Sequence, residues 1–291
     1  MTTTQGPTGG RRRLRNALRK ARESTGLTQD QVAAAMDWSL SKLIRIEAGT
    51  VSVSTNDAKA LLQHYGLRDA NEVRELVDLA RLSRKRAWWT SYKDSVPQTP
   101  FYTYLGLEAE AVGLSIFQPV AMPGLLQTES YAKALIMAAV PNLVSAGQVE
   151  TVVALRKRRQ QEVLRRTPAP RVEVILDEAS LHREIGGVEV LRDQLLHLVK
   201  IGGEPHVFIR VLPFSVSRYS ALGQFIIVHF AEPEDTDVVY AEGASATTIV
   251  DQPAMVKPYQ EAFQSLLETA MSHDDSLQMI STVAAQLGRD G

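Results

Sequence analysis

The stretch Leu27-Thr28-Gln29-Asp30-Gln31-Val32-Ala33-Ala34-Ala35-Met36-Asp37-Trp38-Ser39-Leu40-Ser41-Lys42-Leu43-Ile44-Arg45-Ile46-Glu47-Ala48-Gly49 decides the fold of the amino-terminal part of this 291-residue chain. It reads as two short helices joined by a tight turn. Thr28 supplies an N-cap oxygen and Gln31 completes a capping box, so two amides that a helix start would leave orphaned are satisfied. Val32, Ala33 and Met36 share one face of the first helix. Asp37-Trp38 breaks the pattern, Ser39 caps the second helix, and Gly49 stands where a left-handed residue ends it. In the second helix Leu43, Ile46 and Glu47 share one side, while Leu40, Ser41, Ile44 and Arg45 share another.

A helix docks on its own domain with one apolar stripe, and Leu43 and Ile46 provide it. The remaining face, with a guanidinium, a hydroxyl and Lys42 on its flank, is then available to a DNA major groove. Ala33 to Ala35 would let the two helices cross closely. An ordinary helical hairpin in a bundle is the plain alternative. Caps, turn length and exposed polar face together favour DNA contact, with Thr28, Gln29, Ser39, Leu40, Ser41, Lys42, Ile44 and Arg45 as the candidate contact residues.

Residues 14–66 resemble the helix-turn-helix domain of the Cro/phage-repressor type (the XRE superfamily), with its Leu-Thr-Gln opening and Ile-Glu-x-Gly ending. The resemblance implies an operator of double-stranded DNA and a dimeric protein. The sequence departs from the pattern where Asp37 replaces the usual turn glycine, which Asp tolerates better than most residues. It departs again where Leu40 and Ile44 replace polar residues, so hydrogen-bond readout of bases is thinner here.

Working outward, Arg11-Arg12-Arg13 precedes a helix with Leu14, Ala17, Leu18 and Ala21 at helical spacing and Arg15, Arg19 and Arg22 read as facing away. Arg12 and Arg13 are candidate phosphate contacts, which add affinity and salt dependence but little specificity; a solvated helix face is the alternative for each arginine. Residues 1–10, rich in Thr and Gly, read as a disordered tail without the apolar core of a signal peptide. Downstream, Ser54 and Asp69 cap two more helices, closed by Gly66 and followed by a basic run at Arg81–Arg86 and by Trp88-Trp89. The tryptophans are read as packing against the next domain rather than stacking on bases. Residues 11–90 thus form an all-α domain. Residues 91–102, with two prolines between Ser95 and Pro100, read as a linker.

Charge divides the same way. Residues 1–100 hold 17 Lys/Arg against 10 Asp/Glu, and residues 101–291 hold 15 against 23, so a basic part precedes an acidic one and only the first is suited to phosphate. The 44% hydrophobic content fills real cores, no apolar run is long enough to span a membrane, and cysteine is absent. A cytoplasmic protein without disulfides, thiolate zinc or a cysteine nucleophile follows.

Residues 103–287 read as a larger α+β domain: helices at 130–140, 149–166, 188–201, 259–271 and 277–287, and strands at 171–176, 207–212, 224–230, 238–241 and 247–250. Tyr104-Leu-Gly-Leu-Glu108-Ala-Glu110-Ala, Pro119, Pro123-Gly-Leu-Leu-Gln-Thr128 and Val211-Leu-Pro-Phe214 resemble a family of actinobacterial antitoxin-like transcriptional regulators that join a Cro-type domain to a poorly characterised carboxy-terminal domain. The expectation is a regulator whose carboxy-terminal domain serves dimerisation and signal or partner sensing. The alternative is an antitoxin-like protein that binds a small partner protein and autoregulates its own operon. Pro123, Gly124, Leu125, Leu126 and Gln127 mark either a rigid corner of the core or a ligand or partner surface, and the corner is the favoured reading. No two of the six histidines stand at i, i+3 or i, i+4, so no metal site is expected, and no cofactor. A Ser–Lys autoprotease, with Ser245 and Lys257 as its dyad and Ala146-Gly147 as its target, is the weakest alternative, and no catalytic residue is assigned.

Overall fold

Side-chain caps set the starts of four of the five helices of the amino-terminal part. A computed structural model describes residues 6–49, 51–92, 99–139, 146–216, 220–231, 235–243 and 247–288. The chain divides into two units, Met1–Thr90 and Ser91–Gly291. The first holds α1 (Pro7–Thr25), α2 (Gln29–Ala35), α3 (Leu40–Glu47), α4 (Thr55–His64) and α5 (Ala70–Leu82). Thr28 Oγ1 accepts the Gln31 amide at 3.2 Å and Gln31 Oε1 accepts the Thr28 amide at 2.9 Å, closing the capping box. Ser39, Ser54 and Asp69 cap the next three helices in the same way. Leu14 and Leu18 of α1, Val32 and Ala33 of α2, Leu43 and Ile46 of α3, Leu61 and Leu62 of α4 and Val77 and Ala80 of α5 form one core. Each fully buried Leu or Ile contributes about 1.5–3 kcal/mol.

Residues 7–10 are helical, not a tail. Pro7 opens α1, where its fixed φ suits the first turn and its missing N–H costs nothing. Gly10 has no side chain, and a Cβ there would meet Leu82 Cδ2 at 3.2 Å, so the glycine lets the first turn lie against the end of α5.

The second unit contains α6 (Thr99–Glu108), β1 (Gly113–Gln118), α7 (Glu129–Ala139), α8 (Ala146–Leu164), β2 (Arg171–Asp177), α9 (Ala179–His182), α10 (Val188–Gly202), β3 (Val207–Leu212), β4 (Phe225–His229), β5 (Val238–Glu242), β6 (Thr247–Val250), α11 (Pro253–Leu267) and α12 (His273–Leu287). The strands form one mixed sheet in the order β3-β2-β1-β4-β5-β6. Strands β1, β2 and β3 run parallel; β4, β5 and β6 continue from β1 antiparallel. On one face Leu114, Ile116, Val172, Val174 and Leu176 pack with Leu191, Leu195 and Leu198 of α10 and Ile280 and Val283 of α12. On the other, Phe117, Ile175, Phe225, Ile227 and Val239 pack with Val256, Phe263 and Leu266 of α11. This is the α+β domain expected.

Several of its elements depart from the sequence expectation. The stretch 113–118, assigned no strand from sequence, is β1 and lies between β2 and β4. Residues 99–102 of the expected linker belong to α6, and Trp88–Tyr92 forms a 3-10 turn, while 93–98 lie outside the described residues. Helix α11 begins at Pro253 instead of Tyr259, with Pro258 inside it near its start. Helix α12 begins at His273 because Ser272 caps it, accepting the Asp275 amide at 3.1 Å.

Candidate nucleic-acid interface

The turn between α2 and α3 closes through Asp37, whose φ of 55° is left-handed, and through the Trp38 amide, which donates to Ala33 O at 2.9 Å. This turn sets α3 across α2 with Leu43 and Ile46 buried in the core. The opposite side carries Leu40, 40% exposed, and Ile44, 43% exposed, with Ser41 and Arg45 exposed beside them. Leu40 and Ile44 are one turn apart and make a short apolar strip along the helix surface. Ser41 O accepts Arg45 Nε at 3.1 Å, which lays the guanidinium along that surface.

A polar network fixes α3 to α1 and α2. Arg22 of α1 grips the buried Glu47 with Nε to Oε1 at 2.7 Å and Nη2 to Oε2 at 3.0 Å. Arg22 Nη1 also donates to Leu27 O at 2.9 Å. The hydrogen bonds that Glu47 accepts, with its negative charge, raise the Arg22 pKa above its ordinary value. Gln29 Nε2 donates to Glu47 Oε2 at 2.8 Å.

This geometry revises several sequence assignments. Arg22, read as facing away from the apolar stripe, stands one turn after Leu18 on the same face and is committed to Glu47. Gln29 is half-buried and its amide serves Glu47. Thr28 is exposed, with its hydroxyl engaged in the cap. Lys42 Nζ lies 3.5 Å from the Trp38 ring centroid and 3.4 Å from Asp57 Oδ2, so it is held at the flank of α3. Arg12, 6% exposed, is withdrawn from the candidate phosphate contacts, while Arg13 is half-exposed. Arg11 donates Nη2 to Ser83 O at 3.3 Å, and burial lowers its pKa.

In the second unit most of the segment Pro123–Gln127 packs into the core. Leu125, Leu126 and Gln127 are 1%, 0% and 4% exposed, and Pro123 is buried. Its carbonyls are answered by side-chain amides: Gln160 Nε2 donates to Gly124 O at 2.9 Å and to Gln127 O at 2.8 Å, and Gln194 Nε2 donates to Leu126 O at 2.7 Å. Arg156 donates to Gln127 Oε1; burial, then the neighbouring Arg159 charge, push its pKa down to about 10. Beside it Arg159 holds Glu108 through two bonds of 2.6 Å and Tyr104 OH at 3.0 Å. Burial, then the Glu108 charge, hold the Tyr104 phenol well above its ordinary pKa. Sequence reasoning assigned no role to Arg159; Tyr104 and Glu108 stand at i, i+4 on α6, which was the available signal.

Of the autoprotease candidates, Ser245 lies outside the described residues and Lys257 sits exposed within α11. Among the described residues no group of His, Cys, Asp and Glu could hold a metal ion, and no helix is long and apolar enough to cross a membrane.

Comparison with known families agrees with this division. Residues 13–76 match the family model described as Helix-turn-helix domain, and residues 101–282 match the one described as Domain of unknown function (DUF5753). The second match spans more than half of the chain, so the chain belongs to the DUF5753 family. No curated protein and no solved structure matches it. The helix-turn-helix domain points to a DNA-binding regulator.

Proposed function

We propose that this DUF5753-family chain, with its amino-terminal helix-turn-helix domain, is a sequence-specific double-stranded-DNA-binding transcriptional regulator of the Cro/phage-repressor type. Helix α3, from the Ser39 cap to Ala48, enters the major groove. One observation carries the reading: α3 is anchored on one side by Leu43, Ile46 and the Arg22–Glu47 ion pair, while Leu40, Ser41, Ile44 and Arg45 remain exposed together on the other. A helix fixed from behind, with a mixed polar and apolar front, is the arrangement that direct base readout uses. Arg13 and Lys42 serve the phosphates. The second unit holds the dimer and senses the signal, which makes the operator a pair of half-sites about one helical turn apart.

The test is to map genomic sites bound by the full chain and measure affinity on the recovered sequence. A recurrent symmetric site, bound at least about 1,000-fold more tightly than random duplex, is expected. Uniform binding to all duplexes would overturn sequence-specific regulation.

A further inference from the structure

The second unit holds a serine, a histidine and a carboxylate in a hydrogen-bonded line that DNA binding does not use. Ser115 lies on β1 two residues before Phe117, hence on the face that α11 covers. His229 ends the neighbouring strand β4, and Asp237 directly precedes β5. Ser115 Oγ is 2.9 Å from His229 Nε2, and His229 Nδ1 is 2.9 Å from Asp237 Oδ2. Gln260 of α11 donates Nε2 to the same carboxylate oxygen at 2.7 Å.

The order of these contacts fixes the protons. A carboxylate only accepts, so Nδ1 carries a hydrogen, and in the neutral imidazole Nε2 then presents its lone pair to the serine hydroxyl. That is the tautomer in which histidine removes a proton from serine. Exposure follows the same line: the His229 side chain is 34% exposed, the Asp237 side chain 20%, and Ser115 9%. The imidazole reaches solvent and the hydroxyl lies at its inner end. Gly113 pairs with His229 across the strands, and a Cβ there would stand 3.3 Å from His229 Cδ2, so the glycine keeps the flank of the ring clear. Opposite Ser115 on β2 is Glu173, flanked by Arg171 at 3.7 Å and Arg210 at 3.6 Å. These two guanidiniums are matched by the two carboxylates Glu173 and Asp237, so the surround of the serine is close to neutral.

We propose that Ser115, His229 and Asp237 form a nucleophilic serine site that takes the acyl group of a small carboxylic ester. Ser115 Oγ attacks the ester carbonyl carbon and its proton passes to His229 Nε2. The bond from that carbon to the alcohol oxygen then breaks, and the alcohol leaves with the proton from Nε2. Water attacks the acyl-serine, gives one proton to Nε2, and releases the carboxylic acid as the serine recovers its hydrogen. Asp237 is a positioning residue that holds the imidazole tautomer.

The full chain is treated with a fluorophosphonate, and separately with p-nitrophenyl acetate, and followed by intact mass and peptide mapping. One adduct per chain, located on Ser115, is expected. Absence of an adduct in the wild-type chain, or its location on another residue, overturns the proposal without reliance on any variant. Ser115→Ala should abolish labelling, and His229→Gln should slow release of p-nitrophenolate about 100-fold. Asp237→Asn should lose labelling and Asp237→Glu should recover part of it, with melting temperatures recorded for both. Equal labelling rates in these two folded variants would remove Asp237 from the site.

Discussion

Arg22 on α1 and Glu47 on α3 meet through two parallel bonds, with the arginine side chain 12% exposed and the glutamate 3%. Breaking such a pair leaves an uncompensated charge inside the domain, at a cost of about 3–5 kcal/mol. Glu47→Ala should therefore lower the melting temperature sharply and reduce DNA affinity, because α3 loses its anchor. Replacing both partners with apolar residues, as Arg22→Met with Glu47→Leu, should recover most of the stability. Thermal melts of the four variants of the double-mutant cycle check this. Additive losses would mean that the two charges do not act together.

The turn that precedes α3 stores a small strain. A non-glycine residue at positive φ costs about 1–2 kcal/mol, less for aspartate than for most. Asp37 holds φ at 55°, so Asp37→Gly should stabilise the domain by up to about 1 kcal/mol. Asp37→Val, branched at Cβ, should destabilise it by more than that. Chemical denaturation read through the amino-terminal domain gives both values.

Salt dependence separates the arginines of α1. Log affinity falls by about 0.9 per released phosphate contact for each unit of log salt. Arg13→Ala should flatten that slope and weaken all sequences alike. Arg12 is 6% exposed, so Arg12→Ala should lower stability and leave the slope unchanged. Titrations over a range of salt concentrations distinguish them. A slope change in the Arg12 variant equal to that of Arg13 would return Arg12 to the interface.

What the sequence made legible follows from locality. Caps and turns join residues a few positions apart, and Thr28, Ser39, Ser54 and Asp69 do what their spacing predicts. The division of α3 into Leu43 and Ile46 inward and Leu40 and Ile44 outward follows from its 3.6-residue period. Strand β1 was invisible for the opposite reason. It is buried on both faces, so Gly113-Leu-Ser-Ile-Phe-Gln118 shows no alternation, and only neighbours far along the chain make it a strand. The Arg159–Glu108 pair and the Ser115–His229–Asp237 line likewise join positions that only the sheet and its helices bring together. Arg12 shows the limit of reading a charge as a surface: the side chain type was right for phosphate and the burial was not.

Base preference rests on the exposed side of α3. The Arg45 guanidinium can make a bidentate contact to guanine O6 and N7, worth about 1–3 kcal/mol of discrimination. Its Nε donates to Ser41 O at 3.1 Å, which holds the side chain on the exposed side of α3. Leu40 and Ile44 are 40% and 43% exposed and cannot hydrogen-bond bases, but they can pack on thymine methyl groups. We expect each half-site to pair a guanine, read by Arg45, with one or two thymines, read by Leu40 and Ile44. Arg45→Ala should relax preference at one position by the full bidentate value. Ile44→Ser should reduce discrimination of thymine from uracil, which lacks the methyl, and should leave the melting temperature nearly unchanged because the side chain is already exposed. A binding series on uracil-substituted operator, with melts of each variant alongside, measures both effects. Equal affinity of the wild-type chain for thymine and uracil sites would sink the methyl contact while leaving the Arg45 prediction standing, since the two act on different base pairs.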